Sequence, residues 1–521
     1  MGVLHKIHCS IKFGGNMSEN EKTGGWVIYP IGSKPKMGLA FLLGLQQYLT
    51  MFGSTVLIPI IVGGAMNMPQ SELALLISTM FFVSGITTLL QQSPLGNRLP
   101  IVQGGTFSFL GPMFAIVGMV AAQNMGWQVM IQQVSAAVMF ASVFEIVLGY
   151  TGLMGLVKKA ISPLVIAPTI AMIGLALYGI GAPWMAGNWI ISLITLIAMI
   201  LYSQVFSRKS KVFLLFPVLL AMLTGWVAAF IGTFAGWIPE GDPANLTSGI
   251  AIIQASPWFS LKPALPFKWG FPEFNAITLA GSLGMLAGYL GSMVESIGDY
   301  YACARMAEAP VPTAKMISKG LGAEGLGCLI ASIFQTGNGT TSYSENIGSI
   351  GLTHVASRRV VRAGAVIMIV LPMFSKFGAA LSTLPQPIVG AMFVAMFGLI
   401  AAVGLSNLQF VNLNNSRNLF VVGIAFFAGL SFPAHFNAAA VSWGEAGSLI
   451  NVLGNIVQTI MTTGMAVTAL VAIILDNWLP GATRKERGLE YWDNEASDEA
   501  WIEAEAKWAK MAIGEEVELQ A

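Results

Sequence analysis

The sequence predicts an all-α polytopic membrane protein. Apolar residues make up 55% of the 521 residues and charged residues only 10%, far below the roughly 25% charged content of soluble domains. The mean hydropathy is +0.71, and apolar stretches follow one another along most of the chain. The lysine and arginine positions agree with one consistent set of inside loops. Together these observations exclude a soluble fold.

The apolar stretches predict the number of spans, because a helix needs about 20 residues to cross a hydrocarbon layer of about 30 Å. By this measure the chain contains fourteen spans, several of them short. The predicted spans are 38–63, 72–91, 100–120, 129–151, 162–183, 188–206, 213–236, 277–300, 320–335, 339–352, 361–383, 386–405, 417–432 and 452–475.

Basic residues predict the orientation, since cytoplasmic loops hold them in excess. With the N-terminus inside, 23 of the 26 lysines and arginines lie in cytoplasmic segments, and only Lys262, Lys268 and Lys376 lie outside. One span more or fewer would invert the loops that follow and spoil this agreement. We therefore expect a cell-membrane protein with both termini in the cytoplasm. The first 36 residues carry no apolar stretch of the signal-peptide type.

The chain divides at its longest connection, the proline-rich outside loop 237–276. We expect a cytoplasmic segment 1–36, a first seven-span repeat 37–236, a second seven-span repeat 277–476 and a cytoplasmic tail 477–521. Because seven is odd, the second repeat would run in the inverted sense. The tail is charged and bears tryptophans, and we expect a solvated helix or a disordered segment, with an interfacial helix as the alternative.

Two spans contain polar, glycine-rich sequence at a depth where the chain should be apolar. Residues 337–354 combine glycines, hydroxyls, amides and Glu345, and residues 104–109 (GGTFSF) open the third span. Such backbone survives in a membrane only when it is buried in protein or lines a cavity. Matching interruptions in two inverted halves indicate a transporter site between them. Glycine that merely permits close helix packing is the alternative.

Acidic residues inside spans are costly and need a partner, a proton or a function. Glu295 and Asp299 are four residues apart and share one face of the eighth span. Glu295 is the stronger candidate for function, because no basic residue lies at its depth, whereas Asp299 could instead pair with Arg305. Glu145 in the fourth span could be functional or could pair with a polar neighbour.

Other side chains limit the kinds of site that the chain can form. Gln47 and Ser54 lie on one face of the first span, which faces either a wet cavity or a neighbouring helix. The four histidines and three cysteines show neither metal-ligand spacing nor a disulfide framework. We therefore expect no metal and no cofactor. No basic cluster indicates a nucleic-acid partner.

One motif resembles the signature of a known family. Glu345-Asn346-x-Gly348-x-x-x-x-Thr353 is similar to the signature of the nucleobase-ascorbate transporter family, which includes uracil, xanthine and vitamin C carriers. The resemblance extends in order from about residue 37 to residue 476. The other segments that carry it are Gly44-Leu-Gln-Gln-Tyr-Leu-Thr-Met-Phe-Gly-Ser-Thr-Val, Gly-Asn-Arg-Leu-Pro (96–100), Thr-Phe-Ser-Phe (106–109), Glu295-Ser-Ile-Gly-Asp299 and Met396-Phe-Gly-Leu-Ile-Ala-Ala-Val-Gly.

The resemblance implies an architecture and a mode of action. It implies two inverted seven-span repeats, a core domain from spans 1–4 and 8–11, a gate domain from spans 5–7 and 12–14, and a homodimer. Spans three and ten would each begin with a short β-strand and finish as a half-helix. Transport would follow an elevator-like movement of core against gate.

The same resemblance implies the site residues. Glu295 and Glu345 would hold the ring N–H and carbonyl groups of the substrate, and backbone at Phe107 and Ser344 would complete the contacts. The residues implied to lie nearby or to support ion coupling are Tyr343, Ser54, Asp299, Asn346, Gln47 and Thr106.

Three departures bear on the substrate. Gln47 stands where family members usually have His, and His354 stands where Arg, Lys or Gly is common. Uracil carriers have His at the position of Asp299, and in this respect the chain is more like the purine and ascorbate carriers. Glu345, in contrast, opens the motif as in uracil carriers. We expect a cation symporter, driven by protons, that imports uracil or a purine such as xanthine.

The alternatives are a sodium-coupled nucleobase or ascorbate carrier and, further away, an anion transporter or channel of related architecture. A channel for anions should present basic residues at the half-helices. An enzyme would need a nucleophile with its base or a set of metal ligands, and neither occurs in the spans.

Overall fold

The computed structural model describes residues 27–152, 162–176, 178–438, 449–490, 497–506 and 508. The predicted N-terminal segment 1–36 and the predicted tail 477–521 are therefore described only in part. Helices dominate the described chain, because in hydrocarbon a helix satisfies its backbone hydrogen bonds within itself.

The helices are numbered here in chain order. They are α1 (Met37–Ala65), α2 (Gln70–Gln91), α3 (Leu110–Ala121), α4 (Trp127–Tyr150), α5 (Pro163–Leu175), α6 (Tyr178–Met185), α7 (Trp189–Ile200), α8 (Lys211–Leu215), α9 (Pro217–Phe234), α10 (Thr247–Ala255), α11 (Ala276–Met306), α12 (Ala314–Ile333), α13 (Ser344–Thr353), α14 (Arg358–Val370), α15 (Ser375–Ser382), α16 (Gln386–Ser406), α17 (Ser416–Ala438), α18 (Leu449–Thr462) and α19 (Gly464–Trp478). Two strands, β1 (Gln103–Gly105) and β2 (Thr340–Ser342), precede α3 and α13.

Local sequence explains several helix boundaries. Asn275 accepts a hydrogen bond from the backbone N–H of Thr278 at 3.0 Å and begins α11 with a capping box. Thr313 caps α12 in the same way, through a 3.3 Å bond from the N–H of Met316. These side chains satisfy N–H groups that have no partner within the helix.

Nine helices in the described ranges are long and apolar enough to cross a membrane, or ten if one bent pair is a single span. The bent pair joins Arg358–Met373 to Ser375–Ser382 at 83°. Three further apolar helices are shorter: Phe107–Ala121, Pro163–Leu175 and Gly464–Trp478. The structure therefore shows a multi-pass membrane protein, and the count of fourteen spans in two inverted repeats stays a prediction.

The helices pack in two groups. The first group consists of α1–α4 and α11–α15, in which α12 lies along α4 and α14 lies along α1 and α2. The second group consists of α5–α7, α9, α16, α17 and α19, in which α16 lies along α5 and α17 lies along α19, whereas α18 packs both on this group and on α11 and α3 of the first. Contacts of α11 with α5, α18 and α19, and of α1 with α9, join the two groups.

The two strands lie inside the first group. They pair antiparallel, with Gln103 opposite Ser342 and Gly105 opposite Thr340. All six strand residues are buried. A 3₁₀ turn over Phe107–Phe109 leads from β1 into α3, and Tyr343 leads from β2 into α13. The broken segments predicted at spans three and ten are thus a strand followed by a short helix.

Part of the tail is described, and it includes a helix, which was one of the structures expected there. Residues 498–506 are helical, and we call them the tail helix. Most of its residues are exposed or half-buried, but Trp501 is only 6% exposed, and its indole N–H donates to the carbonyl of Val311 at 2.8 Å. One face of the tail helix therefore packs on the rest of the chain, and solvation of the tail as a whole stays a prediction.

Candidate functional site

The strand pair forms the base of the candidate site, and its backbone groups are satisfied by protein. Asn346 accepts from the N–H of Val102 at 3.0 Å, and Asn338 accepts from the N–H of Thr106 at 3.0 Å. The N–H of Tyr343 donates to the carbonyl of Val102 at 3.1 Å. These bonds allow extended backbone at membrane depth, where an unpaired group costs several kcal/mol.

Glu345 lies in the first turn of α13, directly after the strand pair. Its Oε1 accepts a hydrogen bond from the hydroxyl of Ser54, on α1. Ser54 is buried, whereas Glu345 is only half-buried. The carboxylate is therefore fixed from one side and open on the other.

Glu295 lies on α11 and faces the same region. It is half-buried, and the charges of Glu345 and Glu324 act on it. Within the described part of the chain the Glu295 carboxylate receives no hydrogen bond from protein. Two carboxylates in electrostatic contact, one of them unbonded, leave acceptor positions for a ligand that brings N–H groups.

Asp299 lies one helical turn after Glu295 and is 7% exposed. Its Oδ1 accepts from the hydroxyl of Ser344 at 2.9 Å. Among the described residues Asp299 thus pairs with the start of α13 and not with Arg305. Its second oxygen, Oδ2, is buried and has no hydrogen-bond partner there.

Asn346 connects three elements behind Glu345. Its amide nitrogen donates to Gln47 Oε1 at 3.1 Å and to the carbonyl of Pro100 at 3.3 Å. Gln47, which we expected to face a cavity or a helix, is 2% exposed and is used in this contact. Asn346 and Gln47 therefore hold α1, α13 and the segment before β1 together.

The remaining predicted residues take different positions. Thr106 accepts from the N–H of Ser108 at 3.1 Å and begins the 3₁₀ turn. The Phe107 ring meets Phe397 of α16 at 5.4 Å, edge to face, so it lies where the two helix groups meet. Tyr343 is buried and packs over Gly104, where an added Cβ would lie 2.2 Å from its ring.

A cavity opens beside Phe107, between the two helix groups. It is small and partly open to its surroundings. The residues that line it are Phe107, Ser108 and Gly111 from the first group and Ile173, Ala176, Thr463, Gly464 and Met465 from the second. The site is thus next to the boundary between the groups.

Glu324 of α12 was missed by the sequence reasoning. It is 1% exposed and accepts four side-chain hydrogen bonds. The donors are Ser296 at 2.5 Å, Ser342 at 2.5 Å, Tyr300 at 2.8 Å and Gln103 at 3.3 Å. These donors lie on α11 and on both strands, so Glu324 ties the base of the site to the helix that carries Glu295.

Glu145 of α4 lies within electrostatic reach of Glu324. The two helices touch closely, because an added Cβ at Gly325 would lie 2.7 Å from the backbone nitrogen of Ile146. Glu145 Oε1 is buried and without a hydrogen-bond partner in the described residues. Among the described residues this oxygen thus lacks the polar partner considered for Glu145, and the neighbouring charge is that of a second acid. An acid inside a glycine-rich apolar stretch, as at 320–327, is the signal that could have pointed to Glu324.

Comparison with known proteins decides the family. The xanthine/uracil permease family model, described as a permease family, matches residues 38–438. The chain belongs to the nucleobase-ascorbate transporter family. Human solute carrier family 23 member 2 is 39% identical over 509 residues, which cover 89% of this chain and 76% of the relative. Nucleobase-ascorbate transporter 1 of Arabidopsis thaliana is 34% identical over 482 residues, covering 89% and 91%.

The fold has solved relatives of lower sequence similarity. A structure of SLC26A9 is similar with a TM-score of 0.52 at 13% identity, covering 83% of this chain and 65% of the other. This likeness concerns the fold alone. Members of the family of this chain are transporters and not enzymes, and the protein is a multi-pass membrane transporter for a small molecule.

Proposed function

We propose that the protein is a secondary-active symporter that imports a nucleobase, uracil or a purine such as xanthine. The observation that carries the proposal is the pair Glu295, on the long helix α11, and Glu345, in the first turn of the half-helix α13; both are half-buried, and the charge of Glu345 acts on Glu295. A nucleobase edge offers N–H donors beside carbonyl acceptors, and carboxylates accept from N–H groups through strong, charge-assisted bonds.

The first residues of the two half-helices supply hydrogen-bond donors that complement the acidic acceptors. Backbone N–H groups at Phe107 and Ser344 lie at the first positions of the 3₁₀ turn and of α13, where a helix leaves its first N–H groups without an internal partner. Carbonyl oxygens of a bound base are suitable acceptors for them. A site that satisfies both edges of a base rejects analogues that leave its buried groups unpaired.

The two helix groups would be the two moving bodies. In this proposal the first group is the core domain, which carries the substrate, and the second group is the gate domain, on which it slides. The position of the site beside Phe107 and Phe397, at the boundary of the groups, supports an elevator-type movement. The protein would act as a homodimer.

Proton coupling follows from the acidic site. Two carboxylates whose charges act on each other favour a state in which one of them holds a proton, and a neutral nucleobase carries no charge to balance them. Asp299, which is bonded to Ser344 through one oxygen only, could serve a proton or a sodium ion in a coupling role. Uptake should therefore collapse with a protonophore and persist in sodium-free buffer. The opposite pattern would establish sodium coupling.

Ascorbate is the second candidate substrate, and relatives named nucleobase-ascorbate transporters favour it. Asp299 agrees with the ascorbate carriers of the family. Glu345 opposes it, because a carboxylate repels an anionic substrate at this position. An anion transporter of the SLC26A9 type is disfavoured for the same reason.

Uptake of radiolabelled uracil tests the substrate. Cells without their own nucleobase carriers would express the protein and be challenged with unlabelled xanthine, guanine, adenine, uric acid or ascorbate. We expect saturable uptake of a nucleobase that ascorbate does not inhibit. Accumulation of ascorbate but of no nucleobase would reject the proposal.

Substitution of the two acids tests the site. Glu295→Gln and Glu345→Gln remove the charge and keep the size, so each should weaken substrate binding at least about tenfold, as expected for a charge-assisted hydrogen bond. Glu240→Gln is the matched control, because Glu240 is exposed outside the spans. Wild-type affinity in both site variants would refute the assignment.

A further inference from the structure

The C-terminal segment is attached to the second helix group at its beginning. Asp476, near the end of α19, is 1% exposed and binds two arginines. Arg417 of α17 donates to Asp476 at 2.8 Å, and Arg487 donates at 2.7 Å. Ser162, just before α5, donates to the same carboxylate at 2.6 Å. Arg487 is thereby bound to α19, at a carboxylate that Arg417 of α17 and Ser162 also contact.

Neighbouring residues strengthen this attachment. Leu489 is 2% exposed, and Asn418 donates to the carbonyl of Glu486 at 2.9 Å. Gly488 has φ +77° and lies so close to the carbonyl oxygen of Phe410 that an added Cβ would be 2.7 Å away. We call residues 483–489 the gate-side anchor.

The tail helix is attached to the first helix group instead. Besides the bond from Trp501 to Val311, which follows α11, Glu505 forms salt bridges with Arg358 of α14 at 3.0 Å and with Arg98 before β1 at 3.6 Å. Trp508 is 7% exposed and touches Gly32, where an added Cβ would lie 2.7 Å from the Trp508 Cβ.

The two attachments are joined by a short piece of chain. From Glu490 to Ser497 there are seven residue steps, which reach at most about 25 Å when fully extended. The distance between the attachments is therefore bounded while both are in place.

We propose that the C-terminal tail is a cytoplasmic strap between the two helix groups, which favours their relative position seen here and must undock for larger displacements. The proposal rests on the proposed function, because it needs the groups to move against each other. The strap would slow transport in its docked state and release it when undocked.

Of the two attachments, the attachment of the tail helix is the one that breaks first. Glu505 itself is 41% exposed, with partners Arg98 at 45% and Arg358 at 12% side-chain exposure, whereas Asp476 is fully buried between two arginines. Exposed ion pairs are weak, and breaking a buried one is costly. Undocking therefore starts at Glu505.

Charge reversal on the tail helix tests the strap. Glu505→Arg faces Arg98 and Arg358 with a like charge, and we expect the maximal uptake rate to rise by up to about fivefold with unchanged KM, the range set by an exposed ion pair. Glu503→Arg is the matched control, because Glu503 is exposed on the same helix and should leave the rate unchanged. Equal rates in both variants and wild type would overturn the proposal.

A reversible cross-link tests the same strap in the opposite direction. Gly32→Cys with Trp508→Cys, in a background where Cys9 is Ser, places two thiols at the observed contact. Oxidation of inside-out vesicles should form the disulfide and lower uptake at least about tenfold, and reduction should restore it. Each single-cysteine variant serves as control.

The outcomes separate this proposal from the proposed function. A disulfide that forms without affecting uptake would overturn the strap, as would two thiols that react with maleimide but never join. Cross-link yield is read on a gel and does not depend on transport. A wild type that takes up neither nucleobase nor ascorbate would therefore reject the proposed function by itself, with docking of the tail still measured.

Discussion

Ser54 donates a hydrogen bond to the carboxylate of Glu345, although the two residues are 291 positions apart in the sequence. The bond joins α1 to the first turn of α13, where the predicted substrate contacts begin. Ser54 is 1% exposed, so water does not compete for its hydroxyl. The orientation of Glu345 thus depends on a residue from the other half of the chain.

Removing this hydroxyl should weaken substrate binding. Ser54→Ala removes the side-chain donor of Glu345, and a hydrogen bond to a charged group contributes about 1.5–3 kcal/mol, which corresponds to about tenfold or more in affinity. Binding to purified protein, measured by calorimetry, checks the loss. Ser135→Ala is the control, because Ser135 is equally buried but donates only to the carbonyl of Ile131 in its own helix. Equal affinities in the two variants would contradict the role of Ser54.

Glu324 should be needed for stability as well as transport. Glu324→Ala leaves four buried donors without their acceptor, and each such donor costs about 1–3 kcal/mol. We expect the apparent melting temperature in detergent to fall by at least about 5 °C, with Glu324→Gln in between because one acceptor oxygen remains. Glu240→Ala, at an exposed position, should leave the melting temperature unchanged. An unaltered melting temperature in Glu324→Ala would show that the donors find other partners.

The sequence predicted the parts of the site that local patterns reveal. Glu345 and Glu295 could be found because an acid in an apolar span is costly, and the broken segments before α3 and α13 because their polarity conflicts with their depth. The pairing of Glu345 with Ser54, of Ser344 with Asp299 and of Asn346 with Gln47 needs the packing of helices far apart in sequence. No periodicity within one helix contains that information.

Glu324 and the tail show where the sequence was insufficient. Glu324 lies inside the predicted span 320–335 but was not among the acids considered there, and nothing in its own helix shows that it is a buried acceptor. Its donors Ser296 and Ser342 belong to other elements. The amphipathic pattern around Trp501 indicates a helix, but the surface that covers its apolar face is built by residues near Gly32 and Val311.

Gly149 of α4 should tolerate no side chain. An added Cβ would lie 2.2 Å from the backbone nitrogen of Gly322 on α12, and because backbone cannot rotate away, the two helices would have to separate. Overpacking of this kind costs about 1–3 kcal/mol or more. Gly149→Ala should therefore lower the yield of folded protein and its melting temperature.

Gly118 offers the matched comparison for this prediction. It lies in α3 with nothing within 4 Å of an added Cβ, so Gly118→Ala should keep or raise the melting temperature, since alanine is the better helix former. Size-exclusion chromatography and thermal unfolding of both variants give the answer. If Gly149→Ala is as stable as Gly118→Ala, the close contact of α4 and α12 is not obligatory.

Lys268, in the outside loop, should make stability depend on pH. Its ammonium group donates to the carbonyl of Phe334 and lies 4.8 Å from the centre of the Trp269 ring. Burial lowers the pKa of Lys268 from 10.5 to about 7, and the charge of Glu72 opposes this only in part. The folded protein therefore binds fewer protons than the unfolded chain between about pH 7 and pH 10.5.

Stability should consequently rise with pH across that window, by at most about 1.4 kcal/mol per pH unit. The cost of the buried charge is fully present below pH 7 and is relieved as the pH increases towards 10.5. Thermal unfolding in detergent between these values measures the slope, and Lys268→Met should flatten it, because methionine carries no proton. Lys262→Met in the same loop is the control, since Lys262 is exposed and should leave the slope intact. A slope that survives in Lys268→Met would assign the pH dependence to another group.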